Sequence, residues 1–213
     1  MAQPFGESWT ARLGDVCTSR RGVSYTKKDL LEAEEEGCAY MINLKSFSKQ
    51  GEYRPEGMKF FGTSVDEKHQ LNGQHVIVAN TDLTAEGDIL GAAVMIPDTL
   101  VGKKAIGSHH TTILTVTDDR VLPSYLTTIL NTRFIRLQIR RYRRGATVKG
   151  INNKDLMNLE LTFPPLVMQQ KIMHIITKYE GAANQYAAMV YMQSQARQSF
   201  IIENVEAYQG DQQ

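Results

Sequence analysis

Apolar and polar positions alternate in short blocks over the first two thirds of the chain and fall into helical rhythm over the last third. His75–Ala79 is an apolar run of strand length, and Thr111–Thr117 is β-branched and apolar; both predict strands, the first of them buried. Ile89–Pro97 predicts another, in which Gly91-Ala92-Ala93 permits close backbone packing. Trp9–Cys17, with Leu13 and Val16 apolar, and Ala39–Leu44 alternate as shorter strands. Tyr25–Glu36 is polar and predicts a helix whose Glu32, Glu34, Glu35 and Glu36 form a solvated face. Lys45–Gly57 is a long polar loop with Lys45, Lys49 and Arg54, and such loops in compact domains often carry function.

The stretch from Pro123 to Tyr179 organises the rest. Leu126, Leu130, Phe134 and Leu137 fall on one stripe of a predicted amphipathic helix, and Arg133, Arg136, Arg140 and Arg143 on a second stripe roughly a quarter-turn away. Gly145, Ala146 and Thr147 break that helix. Asn152 and Asn153 can cap a short helix over Lys154–Asn158. Leu159–Phe163 alternates like a strand, Pro164-Pro165 ends it, and a long helix starts near Met168. From Gln169 to about Ala207 only Gly181 interrupts, at a cost of about 1 kcal/mol. Ile172, Ile176, Tyr179, Ala183, Tyr186 and Val190 recur at four, three, four, three and four, a heptad seam that predicts packing along another helix. Met189, Met192, Ala196 and Phe200 carry an apolar face onward. A helix folded back on its own domain is the alternative.

Charge changes this picture more than composition does. The formal net charge is only +1, but it is unevenly spread. Residues 1–119 have a balance of −5, residues 120–154 carry nine basic and no acidic side chains, and residues 155–213 come to −3. An acid-free run of this density is an electrostatic footprint suited to phosphate contact. A solvated arginine face is the plainer alternative, and the polar turns that follow do not suit a membrane-surface helix. Forty-two per cent hydrophobic residues suffice for a sizeable core. The sequence has no apolar run long enough for a transmembrane helix, and MAQPFGESW lacks the features of a signal peptide. Cys17 and Cys38, without a CxxC or nearby histidines, are expected to be free thiols of a cytoplasmic protein.

Candidate chemistry is sparse. No phosphate-binding GxxxxGK[ST], no GxGxxG, GxSxG or HExxH, no paired CxxC and no nuclease-like acidic cluster with a lysine occurs. Arg20 and Arg21 beside Gly22 could hold a phosphate or could be exposed loop arginines. Asn80-Thr81-Asp82 follows a strand and lacks the prolines of a methyltransferase motif; it caps the strand or contacts a base. Lys103, Lys104, His109 and His110 fall in one turn, and adjacent histidines on a strand point apart, which does not suit a shared metal.

The block RRGATVKGINNKDLMNLELTFPPLVMQQKI resembles the end of a target-recognition domain in specificity subunits of type I restriction–modification systems. HVIVANTDLTAEGDILGAAVMIP resembles that domain's central strand, loop and strand, and WTARLGDVCTSRRG its opening strand and glycine turn. The resemblance implies a mixed α/β (α+β) recognition domain over residues 5–165, a long spacer and docking helix over 166–207 that forms a coiled coil, and a frayed tail at 208–213. It further implies a non-catalytic subunit that binds double-stranded DNA, reads one half-site and docks a methyltransferase subunit, with a restriction subunit attached indirectly. S-adenosylmethionine would belong to the methyltransferase; this chain would hold no cofactor and no metal. Arg140, Arg141, Arg143, Arg144, Thr147 and Lys149 would join Arg20, Arg21, Lys103 and Lys104 at the DNA, with bases read by loop side chains such as Lys45, Ser46, Lys49, Asn80, Thr81 and His110. Full subunits of the family carry two recognition domains, whereas this chain has one. The helical seam therefore predicts a homodimer and a target of two inverted half-sites. The alternatives are a fragment of a fused restriction–methylation enzyme, and a basic module that binds RNA or an acidic protein.

Overall fold

The strands alternate with turns along the first 120 residues, and helices dominate afterwards. The computed structural model describes residues 6–84, 86–145 and 148–210, and among these the side chains through Gln195. In chain order it runs β1 (Trp9–Arg12), a single turn α1 (Leu13–Val16), β2 (Cys17–Arg21), β3 (Leu30–Leu31), β4 (Ala39–Ile42), β5 (Lys59–Phe61), β6 (His75–Ala79), β7 (Thr81–Asp82), β8 (Ala93–Met95), β9 (Ala105–Gly107) and β10 (Thr111–Val116). There follow α2 (Pro123–Leu130), α3 (Arg133–Arg141), β11 (Lys149–Gly150), α4 (Asn153–Met157), β12 (Glu160–Phe163) and α5 (Leu166–Gly210). The chain divides into two units, Met1–Gln170 and Lys171–Gln213. The mixed α/β class is as expected, and the first turn of α5 belongs to the first unit.

Among the described residues, two four-stranded sheets make up most of that unit. One has the order β2-β10-β6-β8 with every neighbour antiparallel, and the other β3-β5-β4-β9 with β4 and β9 parallel. β6 reads as a continuous apolar run because it is central and covered on both faces: Val76, Ile77, Val78 and Ala79 are all fully buried. The main core gathers Tyr40, Ile42, Phe47, Ile77, Val94 and Ile113 from both sheets. A smaller cluster forms around Met41, Phe61 and Ile106.

A two-stranded ribbon closes the unit. β1 pairs antiparallel with β12, Trp9 opposite Phe163 and Arg12 opposite Glu160. The rings of Trp9 and Phe163 lie 5.0 Å apart, and the Arg120 guanidinium covers the Trp9 ring at 4.0 Å. Gln169 locks the start of α5 from within. Its fully buried amide donates to the carbonyls of Arg120 (2.7 Å) and Pro164 (2.8 Å) and accepts from the Leu122 N–H (2.9 Å).

Three expectations are corrected. Tyr25–Glu36 forms no helix; Thr26 and Asp29 close a short 3-10 turn, and Leu30-Leu31 then pairs with Phe60-Phe61 in a sheet. Ile89–Pro97 is a turn followed by the short β8, because Gly91 takes a φ of +76° against the Ile139 side chain. The arginine helix is two helices, broken at Asn131, whose amide bonds both the N–H and the carbonyl of Ala93 and the carbonyl of Gly51. The break rotates the second helix, so that it buries Ile135, Arg136 and Ile139 and leaves Phe134 and Leu137 exposed. Arg136 is therefore not a surface anchor. Its guanidinium donates to the carbonyls of Leu90 and Asp88, and burial pushes its pKa down to about 10.

Cys17 and Cys38 are buried free thiols, and burial pushes Cys17 up to about 12. No helix among the described residues is long and apolar enough to cross a membrane.

Replacing Gln169 with leucine should leave the Leu122 N–H and two carbonyls without partners and destabilise the first unit by about 2–4 kcal/mol. Urea unfolding followed by the fluorescence of Trp9 will measure it.

Candidate nucleic-acid interface

Where the ends of β2, β6 and β10 meet the segment after α3, an open groove of about 690 Å³ forms. It is lined by Arg20 and Arg21 of β2, by Asn80, Thr81 and Thr112 at the ends of β6, β7 and β10, and by Arg144, Gly145, Val148 and Asn152 of the segment after α3. That last segment forms a tight hairpin. Arg144 and Gly150 exchange backbone hydrogen bonds of 2.8 and 2.9 Å, and Gly145 takes a φ of +94° with its Cα against the Val148 carbonyl, where a Cβ would sit at 2.1 Å. Gly145 cannot be replaced there without moving the turn. β11 then pairs with β7, Gly150 opposite Thr81, and the Ile151 N–H donates to the Asn80 carbonyl at 3.0 Å. Sheet pairing thus sets the basic hairpin beside the two arginines of β2.

Asn152 caps α4 as expected: its side chain accepts from the Asp155 N–H at 2.7 Å and donates to the Asp155 carboxylate at 2.8 Å. The same carboxylate receives Arg144 Nη2 at 3.0 Å, so this exposed arginine is aimed by an ion pair. Lys149 donates to the Gly145 carbonyl at 3.2 Å. On the opposite side Arg20 donates to the Gln70 carbonyl at 3.3 Å, and burial lowers its pKa. Its Nη1, like Asn80 Oδ1, is buried without a partner among the described residues. Asn80 Nδ2 reaches Thr112 Oγ1 at 3.2 Å.

His109 and His110 occupy the turn between β9 and β10, where their rings lie 4.0 Å apart, tilted by 41°, instead of pointing apart. Tyr25 packs on His109 at 5.2 Å, and Arg21 Nε donates to the His109 carbonyl at 2.9 Å. Thr81 Oγ1 lies 2.9 Å from His110 Nδ1. Both histidines are lowered from the ordinary imidazole value, chiefly by burial, with Arg21 adding to it and His109 acting on His110.

The family model for the type I restriction modification DNA specificity domain matches residues 7–187. The chain belongs to this family. No curated protein matches it. Among solved structures, the specificity domain is similar to the type I restriction–modification S subunit from M. genitalium (TM-score 0.58, 13% identity), covering 90% of this chain and 44% of that one. It is also similar to the HsdS subunit from Thermoanaerobacter tengcongensis (TM-score 0.54, 16% identity), covering 85% and 40%. A third similar chain, with a TM-score of 0.57 and 18% identity, comes from a study of type I R-M complex assembly and conformational transition; the match covers 92% of this chain and 47% of that one. The chain spans less than half the length of the solved subunits it matches.

The specificity domain distributes the other expected residues unevenly. Arg20, Arg21, Asn80, Thr81 and Arg144 line the groove, His110 stands beside it, and Lys149 lies on the hairpin wall. Arg140 and Arg143 are partly engaged inside the molecule. Arg140 contacts Asp88, and Arg143 donates to the Glu86 carbonyl, so with Arg136 they clamp the loop of residues 86–90. Lys49 pairs with Asp88 at 2.7 Å, which raises the lysine's pKa. Ser46 is fully buried and accepts from the Asn43 N–H, which removes it from base contact. Lys103 covers the Tyr40 ring at 4.6 Å, and β9 separates Lys103 and Lys104 from the His109-His110 turn. Lys45 and Arg141 are exposed. Thr147 lies outside the described residues. Among these residues no group of three or more His, Cys, Asp or Glu side chains could hold a metal. The Arg136 clamp escaped the sequence reading. The only signal for it was an arginine at the spacing of the apolar Ile135 and Ile139.

Because the folded state holds His109 and His110 below the unfolded value of about 6.5, the unfolded chain binds protons more readily on acidification. Their contribution to stability is complete above that value and is lost as pH falls through it toward the folded values. The thermal midpoint of the wild type should therefore drop between about pH 7.5 and pH 5.5, and His109→Phe should flatten the drop.

Proposed function

We propose that this chain is a DNA-recognition half of a type I specificity subunit, reading one half-site of duplex DNA in the groove between β2 and the 144–150 hairpin. The convergence of Arg20, Arg21 and Arg144 around Asn80 and Thr81 carries this reading. Cations at the rim suit phosphate oxygens, and the short polar side chains between them suit base edges. The acid-free stretch of residues 120–154 supplies one wall, and the oppositely placed arginines of β2 come from the chain's start. Arg141, Arg144 and Lys149 fix position on the backbone, whereas Arg140 and Arg143 serve chiefly to hold the 86–90 loop.

In this reading the subunit performs no chemistry. Methyl transfer and S-adenosylmethionine belong to a methyltransferase subunit docked on α5, and the restriction subunit joins through it. In α5, Tyr179, Tyr186 and Val190 are exposed, and covering each aliphatic or aromatic side chain contributes about 1.5–3 kcal/mol. A second copy of the chain offers the same seam and would rebuild a two-domain layout on a two-fold axis.

Arg141→Ala and Arg144→Ala should each weaken binding to every duplex alike and lower the salt slope by about 0.9 per lost phosphate contact. Fluorescence anisotropy across a salt series checks this, and a change of preferred sequence would mean that the arginine reads bases. Wild-type chain at tens of micromolar should sediment as a dimer and Ile176→Asp with Tyr186→Asp as a monomer; a monomeric wild type removes the two-fold assembly.

A further inference from the structure

The groove has one ring beside it that neighbouring groups hold in place. His110 is fixed from three directions. Its ring lies 4.0 Å from that of His109, its carbonyl accepts from the Asn80 N–H at 3.0 Å, and its Nδ1 lies 2.9 Å from Thr81 Oγ1. His109 is in turn backed by Tyr25, and Arg21 holds its carbonyl. Thr81 is held by the pairing of β7 with β11. Neither ring nor hydroxyl can turn away without breaking one of these contacts.

A threonine hydroxyl has one proton to give, and Nδ1 is its only hydrogen-bonding partner among the described residues. With Thr81 as the donor across this contact, Nδ1 accepts and the neutral imidazole carries its own proton on Nε2. Nε2 makes no hydrogen bond among the described residues and is not among the buried unpartnered atoms. In that tautomer it is an open donor beside Thr81.

We infer that His110 is a specificity-determining residue that donates from Nε2 to the N7 of a purine in the major groove, with Thr81 fixing the tautomer that makes it a donor. The inference rests on the DNA-binding reading above. Adenine and guanine both present N7 as an acceptor on the major-groove edge. A donor placed against N7 therefore accepts adenine and guanine alike, while a pyrimidine offers no acceptor at that position. An arginine in the same place could take N7 and O6 together and would select guanine. Burial, with His109 and Arg21 beside it, lowers the ring's pKa, which disfavours the charge that would draw it to phosphate.

The test begins with selection of duplexes from a randomised pool by the wild-type chain, then replaces each purine of the selected duplex in turn with its 7-deaza analogue. One position at which either purine is accepted should lose roughly tenfold in affinity on 7-deaza substitution. His110→Ala should bind that duplex about tenfold more weakly and show no further loss with the analogue. Thr81→Val, which keeps the strand and removes the hydroxyl, should shrink the 7-deaza penalty, and it carries the test if His110→Ala does not fold. Equal weakening of all duplexes by His110→Ala would make His110 a phosphate contact, and a 7-deaza penalty unchanged in both variants would remove His110 from readout; either overturns the inference alone. Failure of the wild type to enrich any duplex would overturn the DNA-binding reading instead.

Discussion

The groove exists because the two ends of the first unit are zipped together. β1 and β12, about 150 residues apart in sequence, pair along four residues, and the Leu13 N–H donates to the Leu159 carbonyl just beyond them at 2.8 Å. This closure brings the arginines of β2, which follow β1 by one helical turn, to the segment that precedes β12. Neither half of the groove is complete alone. The loop-closure entropy of so long a connection is repaid by a ribbon that also stacks Trp9 on Phe163 beneath Arg120.

From this constraint follows a division of labour among the cations. On helix α3, Arg136 and Arg140 turn inward onto carbonyls of the 86–90 loop, because the helix buries Ile135 and Ile139 and carries them along, while Arg133 and Arg141 stay exposed. Arg144 and the two arginines of β2 line the groove. Burying a guanidinium is costly without partners, and Arg136 meets that cost with two carbonyl acceptors and the attraction of Asp82 and Asp88.

Much of the fold was legible. β6 and β10 declared themselves as apolar, β-branched runs, and α4 as a short segment behind an asparagine cap. β12 alternated, and Pro164-Pro165 marked its end. What misled was periodicity that continues across a break. Leu126, Leu130, Phe134 and Leu137 keep helical spacing through Asn131, yet that asparagine spends its side chain on Ala93 and Gly51 in another part of the fold, and the helix restarts with a different face inward. A tertiary hydrogen bond of this kind leaves no local pattern. In the site, the arginines and Asn80-Thr81 could be singled out from the sequence by type, but their convergence depends on β7–β11 pairing, two residues long on each strand and invisible to any window. Ser46 shows the reverse error: a loop serine looks available until its partner, the Asn43 N–H, is known.

The clamp on the 86–90 loop grips main chain. Arg136, Arg140 and Arg143 reach the carbonyls of Glu86, Asp88 and Leu90, and every amino acid has a carbonyl. The loop is held mainly through its main chain, but Gly87 and Gly91 take positive φ, the Asp88 carboxylate pairs with Lys49 and Leu90 is fully buried, which leaves Glu86 as the exposed side chain of the loop. At such an exposed position the outward chemistry can change while the framework beneath keeps its shape. For a recognition module that is a route to new targets without refolding.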